Sequence, residues 1–166
     1  MAEKDTLFKG KIKQAGIFDF KEFYNFAYDW LREEGYKVTE KTYSEKVAGD
    51  AKDIDIEWIA KKKVSDYFRY LIKMDWKILG MKKTKVKKED KEISMNSGLV
   101  EIKFAAVLVK DYEHKWEDHP FWKFLRGIYD KYIIRSRVDD YEDRIIEETD
   151  ELIAQCKSFL AIEAKH

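Results

Sequence analysis

The chain has little of several things. Cysteine occurs once, at position 156, so no disulfide can form within the chain and a reducing setting is expected. Proline also occurs once, at Pro120, which excludes a proline-rich linker or a collagen-like repeat. Asn and Gln together number four (Gln14, Asn25, Asn96, Gln155), while Lys and Glu abound, a usage that fits a heat-adapted or AT-rich microbial source. No sign of charge is in excess: 33 basic and 33 acidic residues cancel, so the whole molecule lacks the basic surplus expected of a nucleic-acid binder. No apolar run reaches the length of a membrane span, and residues 1–6 carry no apolar stretch of the signal-peptide kind. A soluble, cytoplasmic protein is the expectation.

What is present is aromatic bulk and alternation. Five Trp, ten Phe and ten Tyr supply enough area for a real core, and 166 residues suit a single domain, 1–166. From Val64 to Ile78 every even position except Asp66 is apolar: Val64, Phe68, Tyr70, Ile72, Met74, Trp76 and Ile78. The odd positions Ser65, Arg69, Lys73, Asp75 and Lys77 are polar, which predicts a half-buried strand. A second run, 99–110, places Val100, Ile102, Phe104, Ala106 and Leu108 on one face. The polar stretch 87–92 between them reads as a turn, giving one long hairpin over 64–110.

If the turn centres on Glu89 and Asp90, Val86 faces Ile93 and Thr84 faces Met95, and Gly80 falls almost opposite Gly98. Isolated glycines in strands mark bulges or bends. A bend there would set off residues 80–98 as a protruding arm with a narrow apolar stripe, Thr84, Val86, Ile93 and Met95. Its other face would be basic, with Lys83, Lys85, Lys87, Ser94 and Asn96.

Before the hairpin, residues 7–14 suggest a short strand, and Asp19 with Glu22 forms a capping box for a helix carrying Phe20, Phe23, Tyr24, Ala27, Trp30 and Leu31. Gly35 is placed to stop it. Strands over 37–47 and 53–60 follow, joined by a turn at 48–51, with Lys61, Lys62 and Lys63 connecting to the long strand. After the hairpin, Pro120 suits the first turn of a helix over about 120–134. A break near 135–137, where Ser136 and Asp139 form another capping pair, leads to a final helix with Val138, Ile145, Thr149, Leu152, Cys156 and Phe159 on one stripe. The expected class is α+β: an antiparallel meander with a long bent hairpin, one N-terminal helix and two C-terminal helices packed on the sheet. That order of elements resembles the helix-grip superfamily of Bet v1 and START-like proteins, in which a curved sheet wraps a long last helix around an apolar cavity. The hairpin is longer than that pattern, and the helix over 120–134 is extra. Segments 20–36 and 126–137 also resemble small archaeal proteins of uncharacterised function.

Chemistry-bearing motifs are sparse. His114 and His119 stand among Asp111, Glu113, Glu117 and Asp118, but five apart they miss the spacing for one helical face, so a charged loop is the plainer reading. Asp53, Asp55 and Glu57 alternate on one strand face, expected to be solvated and paired with lysines across the strand. Cys156 reads as an inert core thiol. No phosphate-binding glycine loop, nucleophile elbow or zinc pair is present, so no cofactor and no metal is expected and an enzyme is disfavoured.

Charge segregation is the more distinctive signal. Residues 77–91 hold seven lysines (Lys77, Lys82, Lys83, Lys85, Lys87, Lys88, Lys91) against Glu89 and Asp90; residues 139–151 hold eight acids against Arg144. The leading expectation is a non-enzymatic protein-interaction or assembly protein, a homo-oligomer or one with a protein partner. Its arm would make contact through Thr84, Val86, Ile93 and Met95, with Lys82, Lys83, Lys85, Lys87 and Lys88 steering an acidic surface. The alternative, carried by the helix-grip resemblance, is a binder of an apolar small molecule or lipid, with Trp58, Phe68, Tyr70, Trp76 and Phe104 lining the pocket. Nucleic acid would bind the arm weakly and without specificity, since it offers no Arg or aromatic group for base readout.

Overall fold

The computed structural model describes residues 3–65, 67–110, 124 and 135–163. They form a five-stranded antiparallel sheet and two helices, in the order β1 (Glu3–Phe18), α1 (Phe20–Glu33), β2 (Lys37–Ala48), β3 (Ala51–Lys63), β4 (Phe68–Lys88), β5 (Lys91–Lys110) and α2 (Arg135–Glu163). The sheet order is β1-β5-β4-β3-β2, so the N-terminal strand closes one side of the meander. The α+β class and the antiparallel sheet follow the sequence pattern. Apart from Phe124, the helix expected over 120–134 lies outside the described residues, as does the His114–His119 cluster.

Alternation fixes which side of the sheet is covered. Phe68, Tyr70, Ile72, Met74, Trp76 and Ile78 of β4 are buried with Val100, Ile102, Phe104, Ala106 and Leu108 of β5 and Ile54, Ile56, Trp58 and Ala60 of β3. Both helices lie on this face. α1 contributes Phe23, Ala27 and Leu31, and α2 contributes Ile145, Thr149, Leu152, Cys156 and Leu160, a 3- and 4-residue spacing that points one stripe at the strands. Each fully buried Leu, Ile or Phe stabilises the fold by about 1.5–3 kcal/mol. The Thr149 hydroxyl, fully buried, donates to the Ile145 carbonyl at 2.8 Å and so needs no other partner.

Local chemistry sets the element ends. The Asp19 side chain accepts from the Glu22 amide at 3.1 Å, capping α1. At the other end Gly35 sits at φ 95°, and the Tyr36 amide reaches the Leu31 carbonyl at 2.9 Å, the glycine-terminated helix stop. Two differences from the sequence reading concern strand limits. β1 is 16 residues long rather than the short strand over 7–14, because β5 offers a pairing partner along its whole length, from Glu3↔Lys110 to Phe18↔Asn96. Val64 belongs to a turn rather than to the long strand: the Ser65 hydroxyl accepts from the Phe68 amide at 3.0 Å, and Lys61, Lys62 and Lys63 are still paired within β3. At the far end, Ser136 and Asp139 both lie within α2 rather than capping it.

Polar contacts hold α2 in one position. Glu148 takes a hydrogen bond from the Tyr36 hydroxyl at 2.5 Å and a salt bridge from Lys62 at 3.1 Å, with the Lys62 ammonium 5.3 Å from the Tyr36 ring centre. Tyr70 donates to the Tyr141 carbonyl at 2.9 Å, and Gln14 to the Leu160 carbonyl at 3.0 Å. These contacts also fix direction: the start of α2 lies at the Tyr70 end of the sheet and its finish at the Gln14 end. Burial, and then the hydrogen bond to Glu148, push the Tyr36 phenol well above the ordinary tyrosine range.

Candidate functional site

The β4–β5 hairpin outruns the rest of the sheet. β3 stays paired with β4 only as far as Lys52↔Met81, and β1 with β5 only as far as Phe18↔Asn96. From there to the turn, β4 and β5 pair with each other and with no third strand among the described residues. The turn is the two-residue kind: Glu89 at φ 51° and Asp90 at φ 62° give the primed geometry that matches strand twist. Val86↔Ile93 and Thr84↔Met95 are opposite one another, the register expected from sequence.

The bend at the glycines is a β-bulge. Leu79↔Leu99 is followed by Lys82↔Ser97, so Gly80 and Met81 together oppose Gly98. Gly80 takes φ 62°, the left-handed conformation a bulge of this type requires at its first position, and its amide donates to the Asp53 carboxylate at 2.8 Å. Asp53 is thereby a bulge anchor. Its neighbours divide: Asp55 faces Lys77, as a charge pair should, but Glu57 faces Asp75.

The bulge decides which side each arm residue presents. The Asn96 side-chain oxygen accepts from the Phe20 amide at 3.0 Å, which places Asn96 on the helix side of the sheet. Lys83 is opposite Asn96, Lys85 opposite Ser94 and Lys87 opposite Glu92, so these three lysines project on the helix side, beyond the end of α1. All three are exposed, as is Lys82. The side chain of Lys88 lies outside the described residues. The apolar stripe faces the other way and is less open than its sequence implies: Val86 and Met95 are buried, Thr84 is half-buried, and Ile93 is 37% exposed. The accessible surface of the arm is therefore its lysine face.

At the base of the arm is a pocket of about 240 Å³, lined by Asp50, Lys52, Met81, Lys82, Lys83 and Asn96. The β2–β3 turn brings Asp50 and Lys52 there, because Lys52 pairs with Met81 at the bulge. Lys82 is 3.8 Å from Asp50, and Lys52 is 3.8 Å from Glu45. Since the Asn96 oxygen is committed to Phe20, its amide nitrogen remains as a donor. The sequence reading missed Asp50 and Lys52, and assigned Asn96 only to a basic face. Nothing local signals their meeting; it depends on the one-residue slip of the bulge.

The five candidate pocket residues lie together in the core. Trp58, Phe68, Tyr70, Trp76 and Phe104 are all buried, at 3% exposure or less. The Trp58 and Trp76 ring centres are 4.9 Å apart, Trp76 and Phe23 5.3 Å, and Phe68 and Tyr141 4.8 Å. Trp58 donates to Glu40 at 3.1 Å, and Glu40 also accepts from Tyr24, whose phenol burial and that carboxylate push up to about 12. The Trp76 indole N–H is buried and has no hydrogen-bond partner among the described residues.

An open groove of about 480 Å³ crosses part of the sheet face opposite the two helices, between Lys9, Lys11, Lys73, Asp75 and Lys103; elsewhere on that face Leu71, Val107 and Val109 are buried. Here Lys103 is opposite Asp75 and Lys11 is 3.2 Å from Glu101, whose carboxyl it holds below the usual range: the mixed ladder of a solvated face. Cys156 is buried, and burial pushes its thiol up to about 12, far from nucleophilic. Among the described residues no group of His, Cys, Asp and Glu could hold a metal ion, and no helix is long and apolar enough to cross a membrane.

The chain matches no family model, no curated protein and no solved structure.

Proposed function

We propose that this chain is a non-enzymatic interaction or assembly module that binds an acidic protein surface with the lysine face of its β4–β5 arm. The observation that carries the reading is the ribbon past Met81 and Asn96: a paired hairpin with no flanking strand among the described residues, exposing Lys82, Lys83, Lys85 and Lys87 on one end of the molecule. A ribbon of this kind contributes little to its own core, whereas exposed lysines steer association with an acidic partner and keep bare strand edges from pairing at random. Replacing residues 82–96 with a two-residue Asn-Gly turn tests it. Native mass spectrometry at low and moderate salt, with circular dichroism as the fold control, should show a folded protein that no longer associates. Unchanged association would overturn the reading.

A second reading is supported by Trp76. A buried indole N–H without a partner among the described residues is uncommon, and this one lies beneath α1, its ring centre 5.3 Å from that of Phe23. A small apolar molecule with one acceptor, seated among Trp58, Trp76 and Phe104, would satisfy it. Extra bound mass that native mass spectrometry retains and organic extraction removes would support this binder. Protein of bare chain mass throughout would count against it.

A further inference from the structure

Building on the arm reading, we infer that the acidic surface it takes is α2 of a second copy of this chain, in a head-to-tail arrangement. Three observations converge. The first is charge. Asp139, Asp140, Asp143, Glu147, Asp150 and Glu151 are all exposed on α2, whereas Glu148, which points inward, is already held by Lys62 and Tyr36. The arm presents the opposite sign, and the chain as a whole is neutral, so a repeating contact between the two leaves no excess charge.

The second is spacing. Lys83, Lys85 and Lys87 alternate along one strand face, about 6.8 Å apart and about 14 Å overall. Asp139, Asp143 and Glu147 follow one another by a helical turn, about 6 Å apart and about 12 Å overall. The two rows match closely enough for three ammonium–carboxylate contacts in register. Beside them, the basal pocket adds the Lys52 ammonium and the Asn96 amide donor over an apolar floor, Met81. Its 240 Å³, against about 30 Å³ for one water, admits a carboxylate with some of its hydration.

The third is distance within one chain. Lys62, which holds Glu148, pairs with Tyr70, and Tyr70 bonds Tyr141, so the acidic half of α2 lies at the Tyr70 level of the sheet. Lys85 is 15 residues further along β4, roughly 50 Å away at about 3.3 Å per residue. That is several times the Debye length of about 8 Å at physiological salt. The arm cannot reach the acidic half of its own α2, but it can reach a neighbour's. A contact between two different surfaces leaves one copy with its helix unused and the other with its arm unused, so it propagates into a closed ring or an open filament.

The test is a charge exchange read by sedimentation velocity. One variant carries Lys83→Glu, Lys85→Glu and Lys87→Glu; the other carries Asp139→Lys, Asp143→Lys and Glu147→Lys. All six positions are exposed, and circular dichroism checks that each variant is folded. Wild type should associate with rising concentration and loosen with salt. Each variant alone should sediment as a monomer, and their equimolar mixture should associate again, as should a chain carrying both sets. If the helix variant assembles like wild type while the arm variant does not, the second-copy helix is refuted and the arm reading stands. If the arm variant assembles like wild type, both fall. Wild type that stays monomeric at every concentration overturns the pairing between copies and leaves the arm to a different acidic chain.

Discussion

Substituting Glu148 should loosen α2 more than any other single polar change on that helix. Its carboxylate serves two groups at once, the Tyr36 hydroxyl at 2.5 Å and the Lys62 ammonium at 3.1 Å, and the side chains of Glu148 and Lys62 are only 18% and 26% exposed. In Glu148→Ala, the Tyr36 hydroxyl, on a residue 2% exposed, loses its acceptor, which costs about 1–3 kcal/mol. Lys62 loses a charge-assisted bond worth about 1.5–3 kcal/mol, of which partial solvation returns a share. The sum is about 2–4 kcal/mol. With a urea slope of about 2 kcal/mol/M, the unfolding midpoint should fall by roughly 1–2 M with the slope unchanged. Glu148→Gln keeps one acceptor oxygen and should lose about half as much. In a double-mutant cycle, Tyr36→Phe should be markedly less costly once Glu148 is alanine, because the hydroxyl it removes no longer has a partner. A Glu148→Ala midpoint within about 0.2 M of wild type, or strictly additive effects with Tyr36→Phe, would refute the clasp.

Other consequences are open to direct measurement. Gly98→Ala would place a Cβ 2.9 Å from the Leu79 carbonyl oxygen and 3.2 Å from the Met81 Cα, backbone atoms that cannot swing aside, so thermal or urea unfolding should show a loss of about 1–3 kcal/mol. Gly80→Ala meets no neighbour within 4 Å and should be limited to the left-handed backbone cost of about 1–2 kcal/mol; a larger loss there than at Gly98 would contradict the bulge geometry. Leu152→Ala, beneath α2, should lower stability by about 2–5 kcal/mol by the same assay, and a neutral outcome would mean that the helix is not seated on the sheet. Tyr24, Tyr36 and Tyr70 are held above their ordinary value of 10.0, Tyr24 at about 12. Their contribution is therefore complete below pH 10 and is lost as the pH rises from there through the folded values. Tyrosinate absorbance of these phenols should accordingly appear together with unfolding; ionisation of all tyrosines near pH 10 in the folded protein would be the contrary result.

Local pattern carried much of the architecture. Period-two alternation from Phe68 to Ile78 and from Val100 to Leu108 identified the covered face, since one side of a sheet must be apolar to be buried. The Asp19 cap, the Gly35 stop and the Glu89–Asp90 turn are determined by neighbours in sequence and were equally legible. Long-range partners were not. The length of β1 depends on β5, some 90 residues away, and the clasp joins residues 112 apart. The arm shows both sides of this divide. Its register and bulge follow from a turn and two glycines, but the burial of Val86 and Met95 and the meeting of Lys52 with Asn96 depend on tertiary placement that no period encodes.

Hydrogen–deuterium exchange, read peptide by peptide in dilute and in concentrated protein, tests the central claim most directly. Half of the backbone N–H groups of the arm point away from its own hairpin, and no third strand receives them among the described residues. In dilute protein residues 83–95 should exchange faster than the five-stranded part of the hairpin, and on association they should slow, together with residues 139–151 if the partner is a second copy. Slowing confined to β1, β2 or β3, with residues 83–95 unchanged, would contradict the account.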